Sequence, residues 1–334
     1  MNSKNKYYLC GSKIKVMNLS MYLEKYSDES KCIEYLRDLR IKEGVKCKKC
    51  GHTEHYYRKG DLKFECKSCH NRQSIRCGTV MEHSNLPIRY WLLCIKLMTL
   101  TKKSFSALEM QRLIGHKRYE PIWYMMHKIR LVMGKRDSEY KLSNYVEMDE
   151  GFFERVDNKE VKDSNKEIDT KKNKKEKRGR GSESQTKVLV MIESKPIQEE
   201  KCTYKPNRKV GYLKMVVMED LKGDSIIDVV KDNVEKEANA LTDGYKGYSK
   251  LKEIISEHQV IVEYDKTKSS KMFPWVNRAI SNAKKMLLGI HHNCINDKYI
   301  QNYLNEFCYK FNRRYFGEKL TDRLILATIK NTWY

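Results

Sequence analysis

The chain has 334 residues, enough for a sizeable core and for two or three domains. Its 67 Lys and Arg outweigh 44 Asp and Glu, a formal charge of +23, which makes a phosphate backbone the leading electrostatic partner. No run approaches the roughly 18 apolar residues of a membrane span, and eleven cysteines, four of them in two close pairs, fit zinc in a reducing compartment rather than a secreted disulfide scaffold.

An intracellular protein is therefore expected, with no membrane partner: nuclear in a eukaryote, in the cytoplasm or nucleoid in a bacterium. Residues 1–43 read as a polar start followed by a helical segment. Ile33, Leu36, Leu39 and Ile41 predict an amphipathic helix from Ser30 to Glu43, ended by Gly44.

A zinc ribbon is predicted over 44–82. Cys47 and Cys50 are separated by two residues, and sixteen positions after Cys50 comes the matching pair Cys66 and Cys69. Two such knuckles supply four thiolates in tetrahedral geometry, which favours Zn2+ and leaves no position for a water, so the metal is structural. His70 and Cys77 stand close by but have no role in a four-ligand scheme. Stretches 55–58 and 62–65 look like hairpin strands. With Lys48, Lys49, Arg58, Lys59, Lys63, Lys67, Arg72 and Arg76 this ribbon could lie against DNA; a protein-facing or purely architectural role is the alternative.

Residues 83–138 predict helices: one opened by Pro87, a second capped by Ser104 and ended by Gly115, and a third starting near Tyr119 and Pro121. Helix, short glycine-containing break, helix is the spacing of a helix-turn-helix, and of any small bundle. On the first reading His127, Lys128 and Arg130 are groove or phosphate contacts. The aromatic residues here read as core.

From 139 to 334 the pattern is mixed α/β. The apolar run Tyr145–Met148 delivers Asp149, and 94 positions later Ala240-Leu241-Thr242 delivers Asp243. Carboxylates near the ends of neighbouring central strands can bind Mg2+ or Mn2+ and support phosphoryl transfer. Between them, an insertion over 157–186 carries Lys171, Lys172, Lys174, Lys175, Lys177, Arg178 and Arg180. It can clamp a phosphate backbone, serve as an import signal, or be solvated. Residues 273–289 have helical spacing, with Val276, Ile280, Ala283 and Leu287 on the buried side. Asn277, Asn282 and Lys284 lie on this helix, which is also an ordinary basic amphipathic helix by periodicity alone.

The cysteine pairs, the helical block near Ser104 to Arg130, Val146-Glu147-Met148-Asp149-Glu150, Leu241-Thr242-Asp243-Gly244-Tyr245, Pro274-Trp275-Val276, Ile280-Ser281-Asn282-Ala283-Lys284, Gly289-Ile290-His291-His292 and Tyr303 to Arg314 form a long ordered series. In this series the chain resembles the bacterial insertion-sequence DDE transposases with an amino-terminal zinc ribbon and their eukaryotic Merlin-like relatives. The resemblance implies a ribonuclease-H-like core that binds terminal inverted repeats in double-stranded DNA and cuts and joins it with Mg2+, as a homo-oligomer on DNA. It further implies that Asp149 and Asp243 are the first two catalytic residues. In one branch Asn with an accompanying Lys replaces the third carboxylate. Asn282 with Lys284 is the preferred match, and Asn277, 34 positions after Asp243, is the alternative. A domesticated, non-catalytic DNA-binding protein and a structure-specific nuclease are the competing functions.

Overall fold

The computed structural model describes residues 18–154, 185–197, 208–262, 272–292 and 295–334; the basic positions Lys171 to Arg180 lie outside them. Chain order begins with helices α1 (Leu19–Lys25) and α2 (Glu29–Glu43). Helix α2 buries Cys32 and Leu36, while Ile41, predicted on its apolar face, is 56% exposed. The ribbon follows as a three-stranded antiparallel sheet of β1 (His55–Arg58), β2 (Lys63–Cys66) and β3 (Arg72–Ser74), one strand more than the hairpin predicted.

Three helices come next: α3 (Ile88–Leu100), α4 (Ala107–Ile114) and α5 (Glu120–Ser138). The cap of α4 is Ser106, whose hydroxyl accepts from Glu109 N–H at 3.1 Å, not Ser104, which is buried. Gly115 ends α4 in the left-handed region, as its position predicted. Phe64 of the ribbon, Leu36 of α2 and the apolar faces of α3 to α5 share one core.

The second core surrounds a five-stranded sheet of order β6-β5-β4-β7-β8, with β4 (Tyr145–Glu154) central, flanked by β5 (Gln185–Pro196) and β7 (Asn239–Thr242). Strands β4, β5 and β6 (Arg208–Met218) are antiparallel in turn, whereas β4, β7 and β8 (Glu257–Val260) are parallel. Val188 to Ile192 is fully buried, because both faces of the sheet are covered. Helices α7 (Pro274–His291) and α8 (Asp297–Asn312) cover one face. Helix α6 (Gly223–Asn233) and a 3-10 helix, Lys246–Glu253, cover the other. This mixed sheet, preceded by a ribbon and helices, is the ribonuclease-H-like architecture. Among the described residues, no helix is long and apolar enough to cross a membrane.

Helix α9 (Lys319–Lys330) does not join the sheet. Leu320, Leu324 and Ile325 return to the amino-terminal core, and Thr321 meets Thr99 of α3 with hydroxyls 2.8 Å apart. A linear division at residue 138 misses this return, because the apolar face of α9 names no partner.

Helix α8 joins the two cores. Its sheet face contributes Ile300, Leu304 and Cys308, and its other side meets α5. There Gly134 lies so close to Asn305 that a Cβ would fall 2.3 Å from the Asn305 amide nitrogen. Arg130 Nε sits 2.8 Å from Glu306 Oε2, and Lys310 Nζ 2.8 Å from Glu306 Oε1, with Glu306 fully buried. Helix α8 also closes the sheet's β6 edge. Gln301 accepts from Val217 N–H and donates to Met215 O, and Asn312 accepts from Leu213 N–H and donates to Leu213 O.

Removing one partner of a buried pair leaves an uncompensated charge, so Arg130→Met should cost about 3–5 kcal/mol in chemical denaturation; an unchanged midpoint would contradict the role of the pair. Burial raises the Glu306 carboxyl, but Lys310 and Arg130 outweigh it and hold it down to about 2, against an ordinary 4.5. Its stabilisation is complete above pH 4.5 and is lost as pH falls toward 2. Burial, with Arg130 and His291 nearby, likewise pushes His127 down to about 3 from 6.5, so a penalty against folding sets in below pH 6.5. Thermal melts should show stability declining through both windows, and His127→Phe should flatten the upper one.

Candidate active site and zinc centre

Cys47 Sγ lies 3.5 Å from Cys69 Sγ, Cys50 Sγ lies 3.6 Å from Cys66 Sγ, and all four sulfurs fall within 4.8 Å of one another. A tetrahedral zinc with 2.3 Å bonds needs sulfurs about 3.8 Å apart. The donor set therefore fits a structural Zn2+, which these four residues would hold. Both knuckles are built alike. Gly51 N–H donates to Cys47 O and His70 N–H to Cys66 O, and both donors have positive φ, +76° and +53°. His70 is thus the turn residue equivalent to Gly51, and its exposed ring is no ligand. Backbone N–H groups of Cys50 and Lys49 draw the Cys47 thiol down to about 6, toward the thiolate that a metal requires.

Several ribbon cations that could lie against DNA also make surface ion pairs: Arg58 and Arg72 share Glu65, Lys67 pairs with Glu54, and Lys48 with Glu82, each cation remaining exposed. Two of the helical contacts are corrected. Arg130 is 1% exposed and committed to Glu306, and His127 is 6% exposed, packed 4.1 Å from the Trp123 ring and neutral. Neither can reach a groove, because α5 turns this side toward α8. Lys128 remains partly exposed, with Nζ 4.2 Å from the Trp333 ring.

On the sheet, β4 pairs with β7 in parallel, Val146 with Ala240 and Glu147 with Leu241. Two residues beyond the last pair come Asp149, still on β4, and Asp243, the first residue after β7. Strand β4 does not stop at Asp149 as predicted but continues to Glu154, held by β5 through Asp149↔Val190 and beyond. Asp149 Oδ1 accepts from Glu150 N–H, and Asp243 Oδ1 from Tyr245 N–H in an Asx turn. The buried Tyr248 phenol, on the 3-10 helix after Asp243, is raised well above its ordinary value. Burial is the main cause, and the nearby Glu150, Asp149 and Asp243 add to it. Those three carboxylates thus share one electrostatic environment.

Alternation along β4 puts Glu147, Asp149, Gly151 and Phe153 on one face, toward α7. The fully buried Glu147 accepts from Trp275 and Val276 N–H at 3.0 and 2.9 Å, satisfying first-turn donors of α7. Burial raises its carboxyl despite these bonds. Further along, Ile280 lies 3.6 Å from where a Cβ on Gly151 would be, and Lys284 Nζ lies 5.7 Å from the Phe153 ring. Asn277, Ile280 and Lys284 therefore form the stripe that follows β4, and Asn277 comes between the contacts to Glu147 and Gly151. Its Nδ2 donates to Phe273 O at 3.0 Å.

Asn282 stands about 140° around the helix from Asn277. It is exposed and lines a different cavity, beside Lys285, Met286 and Phe307. The preferred sequence match is thus separated by helical phase from Ile280 and Lys284, the residues that approach β4, whereas the alternative shares their side of the helix. Glu147 and Tyr248 were not singled out from sequence. Alternation could have flagged Glu147, two residues before Asp149, but nothing local marks Tyr248.

Purified protein should hold one zinc per chain, and Cys66→Ser should release it and open the ribbon to protease before the sheet melts. Retention of metal by that variant would contradict the four-sulfur site.

Residues 27–72 match a transposase zinc-ribbon domain, and residues 141–312, just over half of the chain, match an ISXO2-like transposase domain. No curated protein matches the chain. With its four-cysteine ribbon and mixed sheet in the matching order, the chain belongs to the ISXO2-like transposases with an amino-terminal zinc ribbon, DNA transposases that act as polynucleotidyl transferases.

Proposed function

We propose that Asp149, Asp243 and Asn277, with Lys284 on the same helical stripe, form the catalytic centre, and that it cuts and joins the terminal inverted repeats of its own element. The observation that supports this reading is the parallel β4–β7 ladder, which ends at Glu147 and Leu241, two residues before Asp149 on one chain segment and Asp243 on the other. Two carboxylates and an amide oxygen are hard donors, suited to Mg2+ or Mn2+. The bound cation would neutralise charge on the phosphoryl group and lower the pKa of an attacking water or hydroxyl.

The chain's own residues do the positioning. Asp149 is held on the paired backbone of β4, and Asp243 by the Asx turn that follows directly on β7. Asn277 presents Oδ1 from a helix whose start is tied to β4 by Glu147. Lys284, a point charge on a long stem, steadies a non-bridging phosphate oxygen or the terminal nucleotide. In cleavage a water oxygen bonds to phosphorus while the bond from phosphorus to the 3′ oxygen breaks. The freed 3′-hydroxyl then attacks a target phosphodiester and displaces another 3′ oxygen. Two copies on paired element ends would allow coordinated joining.

Labelled duplex carrying the element's ends, incubated with Mg2+, tests the assignment. Asp149→Asn and Asp243→Asn should each abolish cleavage while end binding survives. Asn277→Ala should lower the rate by about 100-fold or more, and Asn282→Ala should leave it within a few-fold. The reverse pattern for the two asparagines would return the role to Asn282. Binding without cutting by the unaltered protein would favour a domesticated module, and cutting without joining a nuclease.

A further inference from the structure

A half-open cavity of about 780 Å³ lies where the α4–α5 unit, the start of α8 and the carboxyl-terminal segment meet. Trp123, Tyr124, Tyr299 and Trp333 supply aromatic surface to it, and Arg118 and Lys128 supply cations. Its lining contains no Asp or Glu. Tyr124 is 58% exposed, unlike the core position expected of aromatic residues in this helical region, and Trp333, 37% exposed, has Lys128 Nζ 4.2 Å from its ring. Trp123 is braced edge-on by Tyr299 at 4.8 Å and by Tyr124 at 5.0 Å, which fixes the walls.

A second cavity adjoins it: His83, Ser84 and Asn85 line both, and the second runs along the ribbon past Lys49, Arg72 and Arg76, with Glu82 paired to Lys48 in its wall.

We propose that this pocket receives an unpaired nucleobase of the bound DNA, stacked on the Trp123–Tyr124–Trp333 surface, while Arg118 and Lys128 hold its flanking phosphates. The inference rests on the chain being a DNA-binding transposase and adds a contact to strand ends or extruded bases. Aromatic surface attracts any base π-face, and the surrounding cations with no opposing carboxylate match the phosphates beside it. Stacking of this kind carries little sequence preference, so it would report that a base is unpaired rather than which base it is.

The test is a binding titration of the full zinc-loaded chain without Mg2+, so that the outcome does not depend on whether Asp149, Asp243 and Asn277 cleave. Two fluorescein-labelled duplexes of the same sequence are compared, one fully paired and one with unpaired bases at an end. The unaltered protein should prefer the unpaired end. Tyr124→Ala and Trp333→Ala, both at exposed positions and checked by unchanged melting, should weaken binding to that duplex about tenfold and to the paired duplex much less. A 2-aminopurine placed at the unpaired position should be quenched on binding, and less so by either variant. Equal affinity of the unaltered protein for both duplexes would overturn the proposal. So would an equal loss on both by the variants, which would make the pocket one more backbone contact. An unquenched probe would leave the cavity to an aromatic peptide or another protein and would also overturn it.

Discussion

The buried Arg130–Glu306–Lys310 cluster is the constraint through which the two halves of this chain share one geometry. A carboxylate taken wholly out of water is tolerated only with charges of opposite sign in direct contact, and here they come from two helices. Arg130 belongs to the helical unit, Glu306 and Lys310 to the helix lying on the catalytic sheet. Apolar packing alone would let α5 slide along α8, since hydrophobic contact is non-directional. The ion pair, the close approach at Gly134, and Asp137 against Arg313 and Asn312 fix one register over the contact. The ribbon and α9 pack into the same amino-terminal core, so their placement relative to the active centre follows from that register.

Within the catalytic half, Glu147 plays a comparable part over a shorter range. It lies two residues before Asp149 on the same face of β4 and spends its carboxylate on the first turn of α7. The strand that carries one proposed ligand therefore also positions the helix that carries another. A change at Glu147 would be felt at Asn277 without touching the substrate, which separates the residues that hold the site from those that act in it.

Much of this was legible in the sequence where a motif is short and local. The two cysteine knuckles specify their own turns. Alternating apolar runs before Asp149 and Asp243 mark strands, and Gly44 and Gly115 end helices where their positions suggest. What was not legible depends on tertiary partners. Periodicity assigns Asn277, Asn282 and Lys284 to one helix but does not say which side meets β4; Glu147 decides that from far away in sequence. Arg130 and His127 look like surface cations on α5 until α8 covers them. Helix α9 is amphipathic, yet nothing in it reveals that its core lies more than two hundred residues upstream.

Sheets of this kind end in strands with unsatisfied backbone, and β6 is such a boundary. Gln301 and Asn312 occupy its peptide groups at Val217, Met215 and Leu213, and Arg314 takes the carbonyls of Val210 and Gly211. Side-chain amides thus imitate a sixth strand without being one. Another polypeptide approaching from this side finds no ladder to extend, and the long, strongly apolar β5–β6 pair is shielded from templating aggregation. Among the described residues the short β8 forms the opposite border of this sheet, so strand addition to its broad β6 flank is closed to another copy of the chain.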